Sequence, residues 1–494
     1  MTLSIRPQAH RIATITALSL GALSLAASTG CSASSSAAPA GYGNRSGDGG
    51  GQVGADGGGE VVVDDGGLVG DAGPVRVDQA NVARDPASSI PTSALAGAVT
   101  ANNAFGFDLY GQLMGDGGGG NVLISPLSAS LALTMTYAGA VGQTATEMAS
   151  VLHANLPDGG SVFDGQNALD QALVGRGSAA FAQAQGGGGT PAPVASDYQL
   201  QIANAVWGEE TYPWASGFLT TLAKSYGSGV YLTDFVNAPG QAVTAINDWV
   251  SAETAGKITD LLSPTDVDSS TAMVLVDALH VKFPWANPFD ATQTATATFT
   301  RSDGTTVSPS FMNETAELPY TDDGQAQIVE LPLYANEEAL VVVLPHAGVS
   351  LASYEATLVA GGVLPQPTSD QDVALSIPKI TLGGTTFPLS PALQALGMHQ
   401  AFMPGVANFT NMCPPPDGSS LYISFVLQQT TLAMQETGLE AAAATAVGVS
   451  TAAIAGPPPT PVSVVVDRPY FIAIVDVATG AILFIGHVED PTGQ

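Results

Sequence analysis

Apolar and polar positions along this chain set out a long series of helices and strands behind a low-complexity leader. Over residues 93–114, Ala98, Ala101, Phe105, Leu109 and Leu113 recur at helical spacing and predict a first helix. Residues 121–124 read as a short strand that runs into Ser125-Pro126-Leu127-Ser128. Ser caps a helix by accepting from its free amides, and Pro suits a first turn, so a second helix starts there. Gly142 restarts a helix in which Thr144 and Glu147 have the spacing of a capping box. Further helices are predicted over 161–185, 218–226 and 243–257, the last with Val243, Ile246, Trp249 and Val250 on one face. Strands are predicted at 199–207, 230–235, 327–333, 339–345, 373–380, 421–427, 462–466, 471–475 and 482–486, and a short helix falls within 389–402. The run 273–283 is almost wholly apolar, as expected of a central strand covered on both faces, and its His280 reads as a packed core residue.

One stretch fits two structures. Leu432 and Met434 alternate as in a strand, Gly438 interrupts, and Leu439-Glu440 lead into Ala441, Ala442, Ala443, Ala444 and Thr445. Alanine is the best helix former, so 440–447 reads as a surface helix. The same residues also read as a strand with Leu439, Ala441, Ala443 and Thr445 on one face and Glu440 on the other. Side chains this small can enter a close-packed sheet. Residues 447–461 are small, polar and Pro-rich, and read as exposed.

Composition narrows the function classes. The chain has 494 residues, 45% hydrophobic and 11% charged, with a formal net charge of −31, enough apolar material for a large packed body. Nucleic acid and heparin-like polyanions need clustered Lys and Arg, and only 12 are present, scattered along the body. No zinc-protease, phosphate-loop or nucleophile-elbow motif occurs, so no metal or cofactor is expected. Cys31 and Cys413 are too far apart in sequence to suggest a structural disulfide. Residues 1–31 have the basic start and short apolar run of an export signal. They end in Ser28-Thr29-Gly30-Cys31, which resembles a lipobox with Ser28 in place of the usual Leu. Lipidation at Cys31 and ordinary cleavage nearby both fit. Residues 32–92, rich in Gly, Ala, Ser and Asp, cannot offset their ordering entropy and read as a disordered tether; the folded domain is expected over 93–494.

Glu436-Thr437-Gly438-Leu439-Glu440 with the alanines and Thr445 resembles the hinge of the serpins. The resemblance extends in order from about residue 95 to the end. Ser125-Pro126-Leu127-Ser128 through Gly139-Ala140 and Gly142-Gln143-Thr144 is similar to the serpin shutter strand and the helices behind it. Ile246-Asn247-Asp248-Trp249, Glu330-Leu331-Pro332, Asn408-Phe409-Thr410, Arg468-Pro469-Tyr470 and Leu483-Phe484-Ile485-Gly486 match further serpin motifs. Trp285 stands at the family's breach, where the hinge enters the main sheet.

The resemblance implies an α+β serpin fold with three β-sheets, eight to nine helices and an exposed reactive-centre loop. It implies a suicide inhibitor whose loop, once cut, inserts into the main sheet and traps the protease as an acyl-enzyme. Family spacing from Gly438 puts the reactive bond at Ala452-Ala453. Alanine there suits a serine protease with a small specificity pocket, elastase-like or subtilisin-like. A monomer outside the cytoplasm, touching membrane only through a lipid anchor, is expected. Three positions depart from the family pattern: Leu439 for Thr or Ser, Asp277 for the shutter Asn, and Gln428 for the shutter His, the last two able to bond one another. These departures keep open a non-inhibitory serpin acting as a surface binding or structural protein.

Overall fold

The computed structural model describes residues 59–62, 75–115, 120–156, 160–186, 194–384, 386–414, 420–440 and 460–493. The export signal, Cys31, most of the expected tether, residues 441–459 and several short loops lie outside the described residues.

The main sheet runs in the order β1 (Gly59–Val62), β2 (Arg76–Gln79), β5 (Val230–Thr233), β4 (Gln199–Glu209), β6 (Met273–Pro284), β18 (Gly438–Leu439), β17 (Leu432–Gln435), β14 (Ile380–Leu382). Below β18, β16 (Val426–Gln429) pairs with β6 and with β15 (Thr386–Pro388). The second sheet runs β19 (Val462–Val465), β13 (Ser369–Pro378), β10 (Ser310–Asp322), β11 (Ala326–Pro332), β12 (Glu338–Pro345), β20 (Tyr470–Asp476), β21 (Ile482–Val488), β3 (Val122–Ile124), with β7 (Ala295–Thr296) on β10. A third sheet has only β8 (Phe299–Thr300) and β9 (Thr306–Val307). The described helices are α1 (Thr92–Gly115), α2 (Pro126–Tyr137), α3 (Gly142–Val151), α4 (Val162–Gly186), α5 (Ser216–Tyr226), α6 (Pro239–Glu253), α7 (Leu351–Gly361) and α8 (Ser390–Ala395). With three sheets and eight α-helices, this is the expected α+β architecture.

Strand β6 is the axis. Only Lys282 of its twelve residues is less than fully buried. Its odd-numbered apolar residues, including Leu279, Val281 and Phe283, join the large core. Its even-numbered Val274, Val276 and Ala278 pack with α6 through Val243, Ile246, Trp249 and Val250. The period-two side-chain alternation of a strand thus serves two cores at once. Behind β6, α2 begins as the sequence implies: the Ser125 side chain accepts from the Ser128 amide and Pro126 occupies the first turn.

Several expectations change. Part of the region assigned to the tether carries structure: β2 adds antiparallel to β5, β1 pairs with β2, and Arg84 ties to Asp170 at 2.7 Å. Val77 is buried there, so a few apolar residues amid Gly and Asp suffice once a sheet edge supplies the hydrogen bonds. The Thr144–Glu147 capping box does not form. The Thr144 hydroxyl accepts from the Asn408 amide, and Glu147 accepts from the amides of His399 and Gln400. Leu421 and Ile423 are buried, but residues 421–425 are unpaired as strand, because Ile423 bonds to Ala401 of a helical turn; the ladder starts at Val426. Strand β10 and helix α7 add to the elements expected from the sequence.

Candidate functional site: the hinge and the gap in the main sheet

The hinge occupies the top of the main sheet. Gly438 and Leu439 lie between Pro284 and Phe283 of β6 on one side and Gln435 and Met434 of β17 on the other, antiparallel to both. Leu439 is fully buried in the large core. Gly438 has φ 154°, and a Cβ there would stand 2.2 Å from the Phe283 carbonyl oxygen, so only glycine fits this approach. Trp285, itself buried, organises the entry. Its backbone amide donates to Thr437 O at 3.0 Å and its indole Nε1 to Gln435 O at 2.8 Å, while the Phe289 amide donates to Glu436 O at 2.9 Å. Glu436 accepts from Lys379 Nζ at 2.7 Å and from Thr294 Oγ1 at 2.8 Å. Burial pushes this carboxyl's pKa up, but the bonds from Lys379 and Thr294 outweigh it and hold it below the usual range.

Below β18 the sheet is open among the described residues. Strand β16 pairs with β6 only from Leu275 to Asp277, and β18 only at Phe283 and Pro284. Among the described residues no strand pairs with Ala278 to Lys282 on that edge. At the lower limit of the opening, Gln428 Nε2 donates to Asp277 Oδ2 at 2.7 Å and to Ser125 O at 2.8 Å, and Gln428 Oε1 accepts from the Ser125 amide at 2.8 Å. Ser128 Oγ donates to Asn204 Oδ1 at 2.7 Å. All four residues predicted for this place therefore meet in one buried cluster, joined by Asn204 of β4. Burial pushes the Asp277 carboxyl up to about 7, with the Ser128 hydroxyl and Gln428 amide pulling the other way. Among the described residues its Oδ1 has no partner and no cation faces it.

Of the expected hinge, Ala441, Ala442, Ala443, Ala444 and Thr445 lie outside the described residues, as does the reactive bond Ala452-Ala453. Sequence reasoning missed Lys379, Thr294, Asn204 and Lys257. Each acts on residues far away in sequence, and no local spacing marks such partners.

The serpin family model, described as serine protease inhibitor, matches residues 100–491. The chain belongs to the serpin family. An uncharacterized serpin-like protein of Thermococcus kodakarensis is 31% identical to this serpin over 396 residues, 80% of the chain and 85% of that protein. The leukocyte elastase inhibitor of Homo sapiens is 29% identical over 402 residues, 79% of the chain and 99% of the relative. Among solved structures, the native state of the thermophilic serpin tengpin superposes with a TM-score of 0.66 at 27% identity, covering 79% of this serpin and 94% of tengpin. Serpins are mostly protease inhibitors, and some are non-inhibitory.

Proposed function

We propose that this serpin is a suicide-substrate inhibitor of serine proteases with a small-residue specificity pocket, elastase-like or subtilisin-like. The reading rests above all on β18, which occupies the mouth of a slot beside β6 that no other described strand fills. Continuing its register sets Ala441 opposite Val281, Ala443 opposite Leu279 and Thr445 opposite Asp277. The odd positions then face the large core, as Leu439 already does, and small side chains are what that packing accepts. Entry beyond Ala444 parts β16 from β6 and breaks the Gln428–Asp277 bond. A protease that attacks Ala452-Ala453 forms an ester with the Ala452 carbonyl. The freed arm enters the slot and carries the protease with it before water hydrolyses the ester. The absence of Lys and Arg from residues 441–459 argues against trypsin-like targets, and the leukocyte elastase inhibitor among the relatives favours a small-pocket one.

Mixing the protein with pancreatic elastase or subtilisin should give an SDS-resistant band at the mass of the protease plus the chain up to Ala452, together with a released fragment whose N-terminus is Ala453. Complete loop hydrolysis without that band identifies a non-inhibitory serpin instead. Export through residues 1–31 and lipid attachment at Cys31 belong to the same reading. Mass spectrometry of the mature N-terminus tests them, an unmodified N-terminus elsewhere rejecting the anchor.

A further inference from the structure

The described hinge makes two residues of strand, and the residue that follows them is charged. Glu440 has φ 54°, a left-handed conformation foreign to a strand, so the extended chain ends there. Its amide still donates to Ala433 O of β17, at 2.6 Å. Its side chain is only 4% exposed, and Lys257 Nζ lies 2.5 Å from Oε2, an ion pair without hydrogen-bond alignment. Lys257 belongs to the loop after α6, whose next residues Ile258, Leu261 and Leu262 are anchored in the core between α6 and the sheet. The neighbouring Lys282 is engaged with Asp197 at 3.0 Å, leaving Lys257 as the cation nearest this carboxylate.

We propose that Lys257 and Glu440 form a latch that holds the loop in a partly inserted resting state. Lys257 supplies the charge without which the Glu440 carboxylate would be buried uncompensated. Outward motion strips that carboxylate of its partner. Inward motion requires Glu440 to leave the left-handed conformation, become extended opposite Lys282 and release the loop after α6. The latch therefore resists both loss of β18 and premature filling of the slot. Its bearing on protease capture rests on the inhibitory reading; the latch itself does not.

The test is hydrogen exchange at the Leu439 and Glu440 amides, together with the rate at which limiting subtilisin cuts within 441–459. Lys257→Met should expel the hinge, raising both rates about tenfold. Lys257→Arg should restore wild-type rates, and adding Glu440→Gln to Lys257→Met should cancel the increase. Should Lys257→Met fail to fold, salt dependence carries the same test. Cleavage of the wild type should accelerate several-fold between low salt and about 1 M NaCl, because Lys257 is half-exposed and screened, while Glu440→Gln stays level. Wild-type exchange in Lys257→Met, or equal salt dependence in wild type and Glu440→Gln, overturns the latch. Neither readout needs a trapped protease. Loss of the latch with trapping intact thus rejects only this inference, and loss of trapping with the latch intact rejects only the inhibitory reading.

Discussion

Asp277 sits fully buried against an amide, and its environment makes stability depend on pH in a stated direction. The folded-state carboxyl titrates at about 7, against roughly 3.9 when unfolded. Below pH 4 both states hold the proton. As pH rises from about 4 to 7 the unfolded chain gives it up first, so stability falls across that window and levels off above it. Asp277→Asn keeps the shape without the charge. The variant's advantage in melting temperature should widen from pH 4 to pH 8, by on the order of a few kcal/mol in stability. An advantage that is constant with pH would reject this account. Glu436 is the opposite case. Its carboxyl is held low by Lys379 and Thr294, so their contribution is present above the unfolded pKa and lost as pH falls through the folded one. Lys379 is one-third exposed, which screens the pair, and Lys379→Ala should cost about 1 kcal/mol near neutrality in a denaturant titration. A shift that persists undiminished in acid, where Glu436 is protonated, would show that the ion pair is not its cause.

Elements set by their own periodicity are legible in the sequence. Helix α2 announces itself by Ser125 and Pro126, β6 by its unbroken apolar run, and β17 by the alternation of Leu432 and Met434. Elements that borrow their hydrogen bonds are not. Strand β2 forms because β5 offers an edge, and Thr144 and Glu147 cap distant segments rather than their own helix. Of the run with two readings, Leu439 stands in the ladder with β6 and β17, while Ala441 to Val447 lie outside the described residues. The Lys257–Glu440 pair is hidden for the same reason as β2: its halves are remote in sequence, on a helix-exit loop and a hinge. If insertion continues the observed register, Thr445 comes to face the core side of the sheet opposite Asp277. Thr445→Glu would bury a second carboxylate against the unpartnered Asp277, a cost of several kcal/mol. This variant should be cut by elastase as fast as the wild type while forming no SDS-resistant complex. Undiminished complex would show that Thr445 does not enter the sheet.

At the scale of the whole molecule, the inhibitory reading makes the edge of β6 that no described strand covers a store of energy. Ala278 to Lys282 lie in a strand buried on both faces, yet on one side they lack a ladder partner among the described residues. A strand laid into that slot along its full length adds about a dozen backbone hydrogen bonds at about 1 kcal/mol each, besides the small side chains it buries. The intact chain cannot claim this gain, because its loop is fixed at both ends: to β18 at one, and at the other to β19, which pairs in parallel with β13. On the inhibitory reading proposed above, the intact form is kinetically held, and a single cut at Ala452-Ala453 removes the restraint without altering composition or charge elsewhere. Nicked protein should melt about 12 °C or more above intact protein, taking on the order of ten kcal/mol over a domain of about 400 residues. Nicked Thr445→Glu supplies the control, since it has the same broken bond but an arm that cannot seat, and it should show little of the gain. If nicked wild type and nicked Thr445→Glu melt together at the intact temperature, the slot beside β6 is a fixed feature of the fold and not the seat of a spring.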